Sequence, residues 1–111
     1  MPYTISERNA IQVVEVNSLL SEFDNKRILQ DIQDRIEKGS NQFIVDLSHL
    51  SFMNSVGLNF LIMMRSKSEN SGGNLAIANA PDQVISLLEL TKLKPHFNLK
   101  GSVNEAIEVF K

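Results

Sequence analysis

Five consecutive residues, Phe43-Ile44-Val45-Asp46-Leu47, constrain the fold more than any other stretch of the 111-residue chain. The run is apolar except for Asp46 near its end. It lacks the apolar–polar alternation of a strand with one wet face, so it reads as a central strand buried on both faces. The sequence around it supplies neighbours. Ala10–Val16 (AIQVVEV) is rich in β-branched residues and reads as a strand. A shorter strand around Tyr3–Ser6 precedes it, and Leu75–Ala78 is a further one.

Helical patterns fall between these strands. Ser21 stands three residues before Asp24 in capping-box spacing, and Ile28, Leu29, Ile32 and Ile36 follow on one apolar face. Gly39 tolerates the left-handed conformation that ends such a helix. A linker, Ser48 to Asn54, leads from the central strand into a second helix starting near Ser55 and ending before Ser71-Gly72-Gly73. Pro81 suits the first turn of a third helix, whose apolar residues are Val84, Ile85, Leu87, Leu88 and Leu90. Pro95 bars a simple continuation, and His96–Leu99 reads as a short edge strand. Ser102 and Glu105 repeat the capping-box spacing before a last helix with Ala106, Ile107 and Phe110 inward. This alternation argues for one α/β domain over residues 1–111, with a mainly parallel or mixed sheet.

Composition excludes several classes of function. The apolar fraction of 42% and charged fraction of 22% are those of a globular domain that can bury a core without staples. The chain has no cysteine, so there is no disulfide framework, thiol nucleophile or thiolate metal site. Net charge is −2 with the signs mixed, and no basic stripe marks nucleic-acid binding. The longest strongly apolar stretch, Phe60–Met64, is too short to span a bilayer. Met1-Pro2-Tyr3-Thr4 lacks the basic and apolar regions of a secretory signal, so the expected compartment is the cytoplasm, without membrane insertion. His49 and His96 fall in loops without metal-ligand spacing. Gly72-Gly73 precedes a strand and lacks the glycine–lysine pattern of a phosphate loop. No serine is flanked by glycines as a nucleophile elbow requires. Neither catalytic residues, nor a cofactor, nor a metal is expected.

Phe52-Met53-Asn54-Ser55-Val56-Gly57-Leu58 stands out because it links a buried strand to a helix. Ser55 then lies at the helix N-terminus, where free backbone amides and the positive end of the dipole gather. A phosphate on Ser55 could use both. Equally, Asn54 or Ser55 could serve only as the helix cap.

The stretch from Asp46 to Leu58 resembles the signature of STAS domains, the anti-sigma factor antagonist family, in which a strand ending in Asp leads through a short loop to Asp-Ser-Ser/Thr-Gly-Leu. Leu87-Leu88-Glu89-Leu90-Thr91-Lys92-Leu93 followed by Phe97 resembles the family's penultimate helix and following loop, and Ser102 to Ala106 its last helix start. The order of elements matches over nearly the whole chain. The resemblance implies a mixed sheet with helices packed on one face, and a phosphorylatable serine, here Ser55, opening the second helix. It further implies partner switching. The unphosphorylated protein binds a serine kinase that doubles as an anti-sigma factor, phosphorylation releases that kinase, and a PP2C-type phosphatase resets the cycle. Three departures stand out: Asn54 replaces the acid before the serine, Val56 replaces a small hydroxyl residue, and Ser18-Leu19-Leu20-Ser21 replaces Gly-x-Leu-Asp.

The second helix gives a separate reason to expect a partner. Leu58, Leu61, Ile62 and Arg65 share one side, and the first three are the expected core contacts. The other side holds Val56, Phe60, Met63 and Lys67, where a wet face should be polar. With Ser21, Asn54, Ser55 and Asn59 these four make up the expected partner-binding set. The same helix could instead be buried on both sides by the Leu50–Met53 loop or the third helix. Two functional readings follow: a phosphoswitch using Ser55, or an unphosphorylated STAS adaptor in a larger signalling or membrane-transport assembly. A small enzyme ranks last, since no acid, base or metal set converges.

Overall fold

β3 (Gln42–Asp46) is third of five strands in a sheet of order β1-β2-β3-β4-β5, so the apolar run does form its centre. In this computed structural model residues 3–110 are described; Met1, Pro2 and Lys111 lie outside them. β1 (Tyr3–Arg8) pairs antiparallel with β2 (Ile11–Val16). β2, β3, β4 (Asn74–Ala78) and β5 (Asn98–Lys100) are all parallel. The sheet is therefore mixed. Its helices are α1 (Glu22–Glu37), α2 (Ser55–Asn70), α3 (Asp82–Leu90) and the short α4 (Val103–Ile107).

Side chains of β3 alternate between two cores because neighbouring Cβ atoms on a strand point to opposite faces. Phe43 and Val45 join Val14, Val16, Leu75 and Ile77 under α1, α2 and α3. Ile44 joins Ile11, Val13, Ala76 and Ala78 under Ala106 and Ile107 of α4. Three helices thus share one face, as the family resemblance implies, while α4 covers the other. The small Ala76 and Ala78 leave room on that second face for so short a helix to lie close.

A buried polar residue ties the antiparallel edge to α1. Gln12 is buried in β2, and its Oε1 accepts from Arg35 Nη1 at 2.8 Å while its Nε2 donates to Glu7 Oε1 at 2.8 Å. Arg35 Nε also donates to Asp31 Oδ1 at 3.0 Å, and Asp31 Oδ2 accepts from the Tyr3 hydroxyl at 2.9 Å. Burial, and then the bond to Asp31, raise the Tyr3 phenol above its ordinary titration range. The neutral phenol is the form that donates, so this tie holds below that range and is lost as pH climbs through the raised value.

The structure moves several sequence expectations. Ser21 does cap α1, accepting from the Asp24 amide at 3.2 Å. Pro81 stands just before α3 as its cap. Pro95 sits in a 3-10 turn over Lys94–His96, which delays the edge strand to Asn98–Lys100. The largest change concerns α2. Its buried face is Gly57, Phe60, Leu61, Met64 and Ser68; of the expected core contacts Leu61 is buried, Leu58 packs half-buried against the core and Ile62 is exposed. Phe60 is 1% exposed, whereas Ile62 reaches solvent. The cause is Gly57. It carries no apolar signal, yet a Cβ there would overlap the Met53 side chain and press on Leu19, so only a glycine lets this side of α2 lie against the loop.

This orientation has a direct test. Phe60→Ala should cost about 3–5 kcal/mol in urea denaturation, while Ile62→Ala on the same helix should cost under about 1 kcal/mol. The reverse ranking would restore the orientation read from the sequence.

Candidate functional site

The loop from β3 to α2 is held along its length. At its start, the buried Asp46 accepts from the Ser48 amide at 3.0 Å and from Asn79 Nδ2 at 3.0 Å. Leu50 and Met53 are buried, while Ser51 and Phe52 face out. At its end, Gln83 of α3 grips the Met53 backbone twice: its Oε1 accepts from the amide at 2.8 Å and its Nε2 donates to the carbonyl at 2.7 Å. With Met53 anchored by side chain and backbone, Asn54 and Ser55 are delivered to the surface at the C-terminal end of the parallel strands.

Asn54 is the cap of α2. Its Oδ1 accepts from the Val56 amide at 3.0 Å, and its backbone carbonyl accepts from Leu58 at 3.0 Å. Ser55 is the first helical residue and is exposed. Because Asn54 does the capping, the Ser55 hydroxyl is left outside that interaction. The first turn of α2 contains no acidic residue, whereas α1, α3 and α4 have Glu22 and Asp24, Asp82, and Glu105. The positive end of its dipole is therefore not offset by a carboxylate of the same turn.

Beside Ser55 a groove of about 320 Å³ runs between α1 and α2. Leu29, Val56, Phe60 and Met63 form apolar walls, and Glu22, Asn25, Lys26, Ser55 and Asn59 complete it. Met63 is 42% exposed, and Asn59 Nδ2 lies 3.6 Å from its sulfur. Asn25 is buried and donates from Nδ2 to the Leu19 carbonyl at 3.0 Å, which fixes the β2–α1 loop below.

Of the sequence-derived set, Ser55, Val56, Asn59, Phe60 and Met63 come together in this groove. Phe60 does so from the core, as part of the floor, and not as an exposed docking residue. Asn54 adjoins the groove as the cap. Lys67 and Ser21 fall outside its lining. Lys67 Nζ donates to Gln33 Oε1 at 3.1 Å and so ties α2 to α1, and Ser21 is occupied by the α1 amide.

Sequence reasoning missed the α1 wall. Glu22, Asn25, Lys26 and Leu29 recur at i, i+3, i+4 and i+7, one helical stripe beside the core stripe. It also missed the exposed Leu20, and Phe52 at 51% exposure, on the two loops that meet this end of the sheet, and the exposed Phe23 in the first turn of α1. Large apolar side chains in loops were the available signal. Among the described residues no group of histidine and carboxylate side chains is arranged to hold a metal ion, and no helix is long and apolar enough to cross a membrane.

Comparison with known proteins agrees with this architecture. A candidate anti-sigma factor antagonist from Thermotoga maritima superimposes with a TM-score of 0.86 at 20% identity, over 96% of this chain and 92% of that one. The anti-sigma factor antagonist SpoIIAA in its unphosphorylated form gives 0.83 at 20% identity, over 97% and 95%. SpoIIAA of Bacillus in its phosphorylated form gives 0.77 at 19%, over 98% and 99%. At these identities the likeness is one of fold. The family model described as the STAS domain matches residues 3–106. The chain therefore belongs to the STAS domain family.

Proposed function

We propose that this protein is an anti-sigma factor antagonist-like regulator. It acts in the cytoplasm by docking a serine kinase that serves as an anti-sigma factor, is switched by phosphorylation of Ser55, and is reset by a PP2C-type phosphatase. It works by binding and not by catalysis. The observation that carries the reading is the position of Ser55: exposed, at the start of a helix with no acid in its first turn, on the rim of an apolar groove. SpoIIAA, which shares the fold, is known in both unphosphorylated and phosphorylated forms.

The physical account runs through charge. Phosphorylation adds roughly −1.5 to −2 units of charge and three acceptor oxygens. The first-turn amides and dipole of α2 favour an anion there, and Lys26 stands on the same groove, so the fold has no reason to change. The partner meets a different surface. An apolar segment seated against Val56 and Met63 must now desolvate a phosphate at the rim, and acidic groups on the partner are repelled. Docking weakens while the domain stays folded.

Titration of the cognate kinase by calorimetry should therefore rank Ser55→Ala with wild type, Ser55→Asp weaker, and phosphorylated protein weakest, by about tenfold or more. Equal affinity for all of them would remove the switch and leave the unphosphorylated adaptor. Met63→Glu should lower kinase affinity while moving the Tm by less than about 4 °C; unfolding would show that Met63 is needed by the core. Asn54→Asp tests the neutral cap. It should speed phosphorylation by the kinase if a carboxylate beside the serine assists recognition, measured as the initial rate of phosphoserine formation by mass spectrometry.

A further inference from the structure

Three helices of this protein end in the same hydrogen-bonded motif, and one of them ends in the wrong residue. After α1, Gly39 has φ +106°; its amide bonds to the Ile36 carbonyl at 2.9 Å and that of Ser40 to Arg35 at 2.9 Å. After α2, Gly72 has φ +85°; its amide bonds to Glu69 at 3.0 Å and that of Gly73 to Ser68 at 2.9 Å. After α3 the same two bonds form, Lys92 to Glu89 at 3.1 Å and Leu93 to Leu88 at 2.9 Å, but the residue at φ +62° is Lys92. Glycine is the favoured residue at that position because a Cβ strains the left-handed conformation. A lysine kept there at a cost to the fold asks for a use.

Its surroundings suggest one. Lys92 and Lys94 line an open groove of about 630 Å³ with Glu89, Pro95, Phe97 and Leu99. None of these residues lines the groove beside Ser55. From Thr91 to Lys100 the chain carries Lys92, Lys94 and Lys100 and no carboxylate, although the protein as a whole has a net charge of −2. The single acid of the groove, Glu89, lies 3.7 Å from Lys94 Nζ and leaves the lining net positive. Alongside runs β5, a terminal strand paired only with β4. Leu90, the last residue of α3, is 83% exposed.

We propose that this groove and the β5 edge bind an extended acidic segment of a partner protein, one with apolar side chains between its carboxylates. The unpaired edge of β5 offers main-chain hydrogen bonds to an added strand. Phe97, Leu99 and Pro95 receive an apolar side chain, and Lys92 and Lys94 pair with the acids beside it. Lysines on an edge strand also deter unwanted pairing. That duty accounts for Lys100 but not for Lys92, which lies off the strand and could be glycine at lower conformational cost.

The test uses the full chain, labelled with ¹⁵N and titrated by NMR with the blocked peptide acetyl-Glu-Val-Asp-Phe-Glu-Val-Asp-amide. Amide shifts should cluster between Glu89 and Lys100. Affinity should fall with added salt and by about tenfold in Lys92→Gly and in Lys94→Ala. Lys92→Gly should at the same time raise the Tm by about 2–5 °C, which separates lost binding from lost folding. Ser55→Asp should leave the titration unchanged, so this site stands or falls apart from the switch. The proposal is overturned if both lysine variants bind as wild type does, or if a peptide with lysine in place of each acid gives the same shifts. It is equally overturned if vesicles of phosphatidylcholine and phosphatidylserine in equal parts shift these amides and the peptide does not.

Discussion

The contact between Met53 and Gly57 organises the functional end of this protein. Met53 is fully buried, its backbone is held at both polar atoms by Gln83, and its side chain fills the space that a Cβ on residue 57 would need. The loop is thereby pinned one residue before the helix cap. Asn54 and Ser55 have nowhere to go but outward, and α2 must turn its glycine toward the loop. Everything else about α2 follows from that rotation. Phe60, Leu61 and Met64 point into the core, Ile62 and Met63 are turned to solvent, and Val56 is left half-buried at the groove.

The β3–α2 loop is consequently held from beneath, with Ser55 exposed above it. Asp46 holds the beginning of the loop, Gln83 its end, and Asn25 the neighbouring β2–α1 loop through the Leu19 carbonyl. Each is a short polar side chain bonding backbone that a loop cannot satisfy through a sheet ladder. Three separate elements thus contribute one clamp each. Under the proposed function, a charge added at Ser55 acts against this frame, and its effect falls on the docking partner and not on the core.

Much of this was legible in the sequence. The central strand, the order of elements and the start of α2 at Ser55 followed from an apolar run interrupted only at Asp46, cap residues and turn residues, all of which act locally. The facing of α2 did not. Leu58, Phe60, Leu61, Ile62, Met63 and Met64 are apolar nearly all round the helix, so periodicity could not choose a side, and the residue that did choose it was a glycine. Lys67 and Ser21, expected to face a partner, lie outside the groove's lining for a related reason. Their partners, Gln33 and the α1 amide, occupy them within the fold, and sequence shows a polar side chain without showing whether it is already engaged. The α1 wall escaped because Leu29 is the one apolar member of its stripe, and Glu22, Asn25 and Lys26 read in sequence as an ordinary wet face. The placement of α4 on the far face rests on Ala76 and Ala78, whose small size reads as weak apolarity in sequence and as available space in the sheet.

The neutral cap is the point at which chemistry and fold meet most closely. A helix N-terminus wants two things: an acceptor for its free amides and negative charge near its dipole. In α1 and α4 serine caps supply the acceptor and carboxylates in the first turn supply the charge. In α2 Asn54 supplies the acceptor alone. An aspartate at position 54 would have met both needs with a fixed negative charge beside Ser55. With Asn54 the charge requirement is left open beside Ser55, whose hydroxyl is exposed and unused in capping α2. Phosphorylation would then complete the helix end electrostatically while spoiling the groove beside it for an apolar partner. Under the proposed function, the substitution that departs from the family's signature leaves the α2 dipole for a phosphate on Ser55 to offset, and the Asn54→Asp variant measures what a carboxylate adds to recognition by the kinase.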